Sequence, residues 1–242
     1  MESEKKTLVI IPAFNEEGSI RRVIEAVKVT LPQCAILVVN DGSTDQTSEE
    51  AKRASAVVLD LPINLGIGGA VQVGYQYACQ KGYHIAIQVD GDGQHDPKEI
   101  SKLIEVLERG EADMVIGSRF IGESRYKGSG MRRIGISILA QAISIMTGQK
   151  VTDPTSGFRA SNRKAIQLFA HNYPQDYPEP EVLVLLSRCG LKMREVPATV
   201  YQREYGESSI TKIRAIYYMT KVLLAIFVTS VRRKPKGGGI GG

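Results

Sequence analysis

The 242-residue sequence has no tryptophan, three cysteines, 6% aromatic residues and no long apolar run, and each shortage excludes something. Cys34, Cys79 and Cys189 are odd in number and far apart, and they form neither a CxxC pair nor a Cys/His cluster. Neither a disulfide framework nor a zinc site is therefore expected, and free buried thiols are. The longest uninterrupted apolar stretch, 222–228, falls far short of the roughly 20 residues that span a bilayer. Residues 1–6 are polar and 7–11 are too short for the apolar segment of a secretory leader, so a cytoplasmic chain is expected. The few aromatics are not interleaved with basic residues as a base-stacking surface requires, which argues against nucleic acid as a partner.

What is present suits a globular core: 43% hydrophobic and 24% charged residues, a length for one large domain with an appendage. The net charge of +5 is unevenly spread. Residues 119–150 carry +5, residues 203–236 carry +6, and the remainder is −6. Such segregation points to a basic face meeting an anionic membrane surface.

Short Val- and Ile-rich runs at 7–11, 35–39, 57–61, 84–89 and 114–116 alternate with helical patterns at 17–29, 44–53, 68–80 and 97–109. That rhythm predicts an α/β fold with a mostly parallel sheet flanked by helices. Thr44 and Asp96 read as N-caps, and Pro97 suits a first helical turn. Ligands of such sheets bind at the carboxyl ends of the strands. Between 132 and 147, Ile136, Leu139, Ala140, Ile143 and Met146 form one helical stripe opposite Ser137, Gln141, Ser144 and Gly148. This predicts an amphipathic helix led by Arg132 and Arg133. A second such helix is expected over 211–231, followed by a disordered basic and glycine-rich tail over 232–242.

The strongest chemical signal is Asp90-Gly91-Asp92-Gly93-Gln94 at the end of an apolar strand. Alternation along a strand places Asp90 and Asp92 on one side, and Gly91 removes bulk between them. Two carboxylates and the neutral oxygen of Gln94 suit Mg²⁺ or Mn²⁺, hard ions that complete their shell with phosphate and water. Pro12-Ala13-Phe14-Asn15-Glu16-Glu17 and Asn40-Asp41-Gly42-Ser43-Thr44-Asp45 end the first two strands. They serve either as a nucleoside site, with Asp41 accepting from a base or ribose, or as turn and cap chemistry. In Asn64-Leu65-Gly66-Ile67-Gly68-Gly69, Gly66 opens a glycine-rich loop that lets backbone approach a ligand. Val71 at the third glycine position rules out a dinucleotide fingerprint.

These blocks, with Gly117-Ser118-Arg119, Asp153-Pro154-Thr155-Ser156-Gly157-Phe158-Arg159 and Arg203-Glu204-Tyr205-Gly206-Glu207-Ser208-Ser209, stand in one order over roughly residues 6–215. In that order the sequence resembles family 2 glycosyltransferases of the GT-A fold, in the branch of dolichol-phosphate mannose synthases and polyprenyl-phosphate glycosyltransferases. The resemblance implies a catalytic domain over 1–210 in which Pro12, Ala13, Glu16 and Asp41 contact the nucleotide. It further implies that Asp90, Asp92 and Gln94 surround the metal, that Arg119 and Arg203 meet phosphates, and that Asp153 lies near the acceptor. The activity implied is that of an inverting hexosyltransferase. It takes a sugar from a UDP- or GDP-sugar to a polyprenyl phosphate at the cytoplasmic membrane face, directly attached or through a small membrane-protein partner. An acceptor phosphate is already anionic, so Asp153 is expected to orient rather than deprotonate, with Glu181 a second candidate base. Two other readings stay open: a soluble transferase acting on a polysaccharide, and a non-catalytic scaffold for a membrane partner.

Overall fold

The computed structural model describes residues 6–122, 130–201 and 212–232. Five strands alternate with helices: β1 (Thr7–Ala13), α1 (Ile20–Thr30), β2 (Ala35–Asn40), α2 (Thr47–Arg53), β3 (Val57–Asp60), α3 (Gly66–Gln80), β4 (Ile85–Gln88), α4 (Ile100–Glu108) and β5 (Met114–Ser118). Then follow α5 (Gly130–Thr147), β6 (Arg159–Asn162), α6 (Arg163–His171), α7 (Pro178–Arg188), β7 (Met193–Pro197) and α8 (Lys212–Val231). The seven strands form one sheet in the order β3-β2-β1-β4-β6-β5-β7. All its pairs are parallel except those of β6, which runs antiparallel between β4 and β5.

Side-chain alternation along β1 divides the core in two. Leu8 and Ile10 face a cluster built with Tyr75 of α3, Phe169 of α6 and Val182 of α7. Val9 and Ile11 face one built with Ile24 of α1 and Leu103 of α4. The sheet is thus the middle of three layers, and each fully buried Val, Ile or Leu contributes about 1.5–3 kcal/mol.

The expected start of α2 shifts. Thr44 is not its cap: the Thr44 amide donates to Asn15 Oδ1 (2.9 Å), and Asp45 Oδ1 accepts from the Thr47 amide (3.0 Å) at the first turn. Asp96 does cap, accepting from the Lys98 amide (3.0 Å) ahead of a short 3₁₀ turn at Pro97–Glu99 that leads into α4.

The apolar stripe expected over 132–147 is covered by the protein itself. Ile136, Leu139, Ala140 and Ile143 are buried in the core, where α5 packs on α7 and α8, and only Met146 of that stripe is exposed. The outward face is apolar too: Ile134, Ile138 and Ile145, the last 76% exposed, alternate with Ser137 and Gln141. On α8, Val222 and Ile226 are buried while Leu224, Phe227 and Val231 face outward. Arg188 at the end of α7 donates to the carbonyls of Thr229 and Arg232, fixing the last turn of α8. Among the described residues no helix is long and apolar enough to cross a membrane. The expected tail beyond Arg232 lies outside the described residues, as does the block 203–209 with Arg203.

Candidate active site

At the carboxyl ends of β1, β2 and β4 lies a cleft of about 440 Å³. Pro12 and Ala13 at the end of β1 and Glu16 of the loop that follows line it, with Asp41 after β2, Gly66 at the start of α3, and Asp90, Gly91 and Asp92 after β4. Eight residues named from sequence motifs therefore meet in one hollow. Two of the motifs divide their labour, some members facing the cleft and others holding the loops. Asn15 is exposed at φ +56°, its side chain accepting from Thr44 while its amide donates to Ser43 Oγ (2.9 Å). The Glu16 amide donates to Thr47 Oγ1 (2.8 Å). Asn15, Ser43, Thr44 and Thr47 thus knit the β1 and β2 loops together, and Asn15 does not line the cleft. Asp41 serves both ends: Oδ1 accepts from the Leu65 amide (2.7 Å), which fixes the glycine loop against the cleft.

Asp90 and Asp92 both reach the cleft, though not by strand alternation. The strand ends at Gln88, and Asp92 sits in a turn closed by its own Oδ1 accepting from the Gln94 amide (3.0 Å). Gln94 ends that turn, its carbonyl accepting from the Tyr201 amide (2.8 Å). Burial pushes the Asp90 carboxyl up to about 6, and the neighbouring charge of Asp92 adds to the push, against the opposing pull of Gln88, Arg159 and Arg119. Its side chain is nevertheless 35% exposed, open on the cleft side to solvent or ligand. His95, stacked on Phe158 with ring centroids 5.1 Å apart, stands 3.7 Å from Asp90 Oδ2. Among the described residues its buried Nδ1 has no hydrogen-bond partner, and burial lowers its pKa to about 4, keeping the ring neutral.

The donor set fits an oxygen-seeking divalent cation: two adjacent carboxylates whose repulsion an ion relieves, one already resisting ionisation in its absence. Among the described residues no cluster of three or more Asp, Glu, His or Cys side chains stands at ligating spacing. The protein thus offers a partial shell, as suits an ion that keeps phosphate and water ligands.

Close approach of backbone shapes this corner. A Cβ on Gly91 would lie 3.2 Å from the Pro12 carbonyl oxygen, and one on Gly157 would lie 2.6 Å from both carboxylate oxygens of Asp90. Gly157→Ala is therefore expected to push Asp90 out of place, weakening Mn²⁺-dependent nucleotide binding at least about tenfold, the equivalent of the 1–3 kcal/mol cost of overpacking. Titration of nucleotide diphosphate with Mn²⁺ measures this, and an unchanged Kd would refute it.

Arg119 and Asp153 are brought together, but with each other. Arg119 Nε donates to Asp153 Oδ2 and Nη2 to Oδ1, both at 2.6 Å, and the Arg119 amide donates to Oδ2 at 3.0 Å. Thr155 Oγ1 accepts from the same Nη2 (2.6 Å). Asp153 is fully buried and both its oxygens are engaged, so its carboxylate is a fixed partner of Arg119 rather than a group facing an open acceptor space. Glu195 of β7, which no motif flagged, holds this loop. Its carboxylate accepts from the amides of Thr152 (2.8 Å) and Asp153 (2.8 Å) and from Thr152 Oγ1 (2.8 Å).

Glu181 does not reach the cleft. Its Oε2 accepts from Thr229 Oγ1 of α8 (2.8 Å) and its Oε1 from the Tyr177 amide (3.2 Å), which makes it a strut between helices. Glu179, two residues earlier, lines the cleft instead. Burial raises its pKa, and Arg159 beside it pulls the other way. Arg159 is buried under the chain, donating from Nε to the Ser156 carbonyl (2.7 Å) and from Nη2 to the carbonyls of Pro154 (3.1 Å) and Glu179 (2.8 Å).

Sheet topology and cleft position are those of the GT-A fold. Glucosyl-3-phosphoglycerate synthase of Mycobacterium tuberculosis, solved in complex with Mn²⁺, UDP and glucosyl-3-phosphoglycerate, superposes with a TM-score of 0.70 at 21% identity, covering 97% of this chain and 82% of that one. The glycosyl transferase family 2 profile matches residues 8–169, and the chain belongs to that family. It is 30% identical over 217 residues to the polyprenol monophosphomannose synthase of Mycolicibacterium smegmatis, covering 86% of this chain and 82% of the relative. It is 31% identical over 215 residues to the undecaprenyl-phosphate mannosyltransferase of Micrococcus luteus, covering 85% and 88%. The branch suggested by the ordered motifs is thereby supported.

Proposed function

We propose that this glycosyltransferase moves a hexose from a UDP- or GDP-sugar to a polyprenyl phosphate at the cytoplasmic face of a membrane, with inversion at the anomeric carbon. The observation that carries the reading is the cleft in which Asp41, Pro12 and the Asp90–Asp92 pair stand side by side along three neighbouring strand ends. A nucleoside fits against Pro12, Ala13, Glu16, Asp41 and Gly66, and Asp90 and Asp92 would hold Mg²⁺ or Mn²⁺, with Gln94, which does not line the cleft, proposed as a further ligand from the motif alone. The bound ion would neutralise the charge that develops on the departing nucleoside diphosphate. Arg119, whose Nε and Nη2 are held by Asp153 and Thr155, serves a phosphate of donor or acceptor as a fixed cation. Arg203 is proposed for the same task from the motif alone. An anionic acceptor phosphate attacks without a general base, so the protein's contribution is placement and charge compensation.

The outward apolar stripes of α5 and α8 support attachment to lipid. Ile134, Ile138 and Ile145 on one helix and Leu224, Phe227 and Val231 on the helix packed against it leave apolar side chains in water, with Arg133 and Arg232 also exposed. Helices lying in a membrane interface carry such a face and gain about 1 kcal/mol per basic residue near anionic lipid.

The test incubates the protein with labelled UDP- and GDP-hexoses, Mn²⁺ and a short polyprenyl phosphate in anionic vesicles. Label is expected in the lipid fraction, acid-labile and of inverted configuration, and the double change Ile138→Glu with Phe227→Glu is expected to reduce vesicle co-sedimentation by about tenfold or more. Label on a soluble polysaccharide instead, or none in any fraction, would overturn the proposal.

A further inference from the structure

Glu179 is a cleft carboxylate that the nucleotide and metal assignments leave without a task. The sheet order orients it. Reading across the strand ends, Asp41 follows β2, Pro12 belongs to β1, and Asp90 follows β4; β6 comes next, and its Arg159 holds the Glu179 backbone. A nucleotide sugar laid along that line has its base near Asp41 and its diphosphate near Asp90 and Asp92. Its sugar then falls at the α7 end, against Glu179.

From this placement we infer that Glu179 reads the donor sugar: it accepts hydrogen bonds from hydroxyls of a neutral hexose and rejects a sugar bearing a carboxylate, such as a uronate. The inference rests on the nucleotide-sugar reading above and adds the charge class of the sugar. A carboxylate in a cleft already lined by Glu16, Asp90 and Asp92 is a suitable acceptor for hydroxyl groups and a poor neighbour for another anion. The nearby cation does not cancel this. The Arg159 side chain is sealed beneath the Pro154, Ser156 and Glu179 backbone, 1% exposed, so it makes no direct contact with a ligand in the cleft, and its charge opposes the effect of burial on the Glu179 carboxyl, favouring the ionised form. Its hold on the Glu179 carbonyl, with Pro178 and Pro180 on either side, fixes the carboxylate's anchor point, so discrimination does not depend on ordering a free side chain.

The experiment compares wild type with Glu179→Gln, a change of the same size that retains one acceptor oxygen and removes the charge. Binding of UDP- and GDP-hexoses, the matching nucleotide uronates and the bare nucleoside diphosphates, all with Mn²⁺, is read by calorimetry and thermal shift, so the result does not depend on turnover. Wild type is expected to favour the neutral sugar over its uronate by on the order of 100-fold, as close like charges in a partly solvated site imply. In Glu179→Gln the neutral donor should weaken by roughly tenfold, the loss of a charge-assisted hydrogen bond, while the uronate tightens and the preference shrinks to within about threefold. Bare nucleotide affinity should not move. An unchanged neutral-to-uronate ratio in Glu179→Gln would overturn the inference while leaving the nucleotide-sugar reading intact. Failure of every nucleotide and nucleotide sugar to bind wild type would overturn both.

Discussion

Asp92→Asn is expected to lower kcat/KM by about 10³-fold without unfolding the protein, and to abolish the Mn²⁺-dependent part of the thermal shift caused by nucleotide. The magnitude follows from losing metal-borne stabilisation of a developing diphosphate charge, several kcal/mol, at 1.36 kcal/mol per factor of ten. The fold should survive because an asparagine oxygen can still accept from the Gln94 amide and close the turn that Asp92 closes. The apo form should also lose a repulsion, since the charge of Asp92 is one of the causes that raise the Asp90 carboxyl. A melting temperature equal to or slightly above wild type is therefore expected without metal, and one below wild type with Mn²⁺ and nucleotide, since only the wild type gains the metal-linked binding energy. A full metal-dependent shift in the variant would remove Asp92 from the metal site.

The residues that sequence could and could not reveal differ in what holds them. Buried parallel strands must be apolar on both faces, so β1, β2, β4 and β5 announce themselves as Val and Ile runs. The antiparallel β6 is four residues long, Arg-Ala-Ser-Asn, and its Arg159 and Ser161 are buried polar groups, Arg159 held by the carbonyls of Pro154, Ser156 and Glu179 and Ser161 by the Tyr75 hydroxyl. Nothing in a local window marks it as a strand. The same holds in the site. Asp41, Asp90 and Asp92 closely follow strand ends and were legible from position, whereas Glu179 and Glu195 acquire their roles from chain segments that only the fold brings near. Glu181 and Glu179 share one helical turn, and no periodicity decides which faces the cleft. For α5, periodicity found an apolar stripe but not its destination, because the helix is apolar on a second face as well.

The arrangement of Arg119 and Asp153 yields the other large expected effect, on stability and activity together. Asp153→Ala removes the carboxylate that takes two guanidinium hydrogen bonds and a backbone amide, leaving a largely buried arginine uncompensated. Such a break costs about 3–5 kcal/mol, and denaturant titration should find it. Replacing both residues, Arg119→Met with Asp153→Leu, removes the stranded charge, so the double variant should be more stable than the Asp153→Ala single variant. Activity separates two roles that stability cannot. If Asp153 acts by aiming Arg119, then once Arg119 is methionine the further change at Asp153 costs nothing more. Arg119→Met and the double variant should then share one kcat/KM, about 10²–10³ below wild type for a lost charge-assisted clamp on phosphate. If Asp153 meets the acceptor itself, the double variant must fall well below Arg119→Met, with the added loss in the acceptor KM. Equality is the expected result, because both carboxylate oxygens are already spent on Arg119 and Thr155, and Glu195 holds the Thr152–Asp153 backbone that presents them.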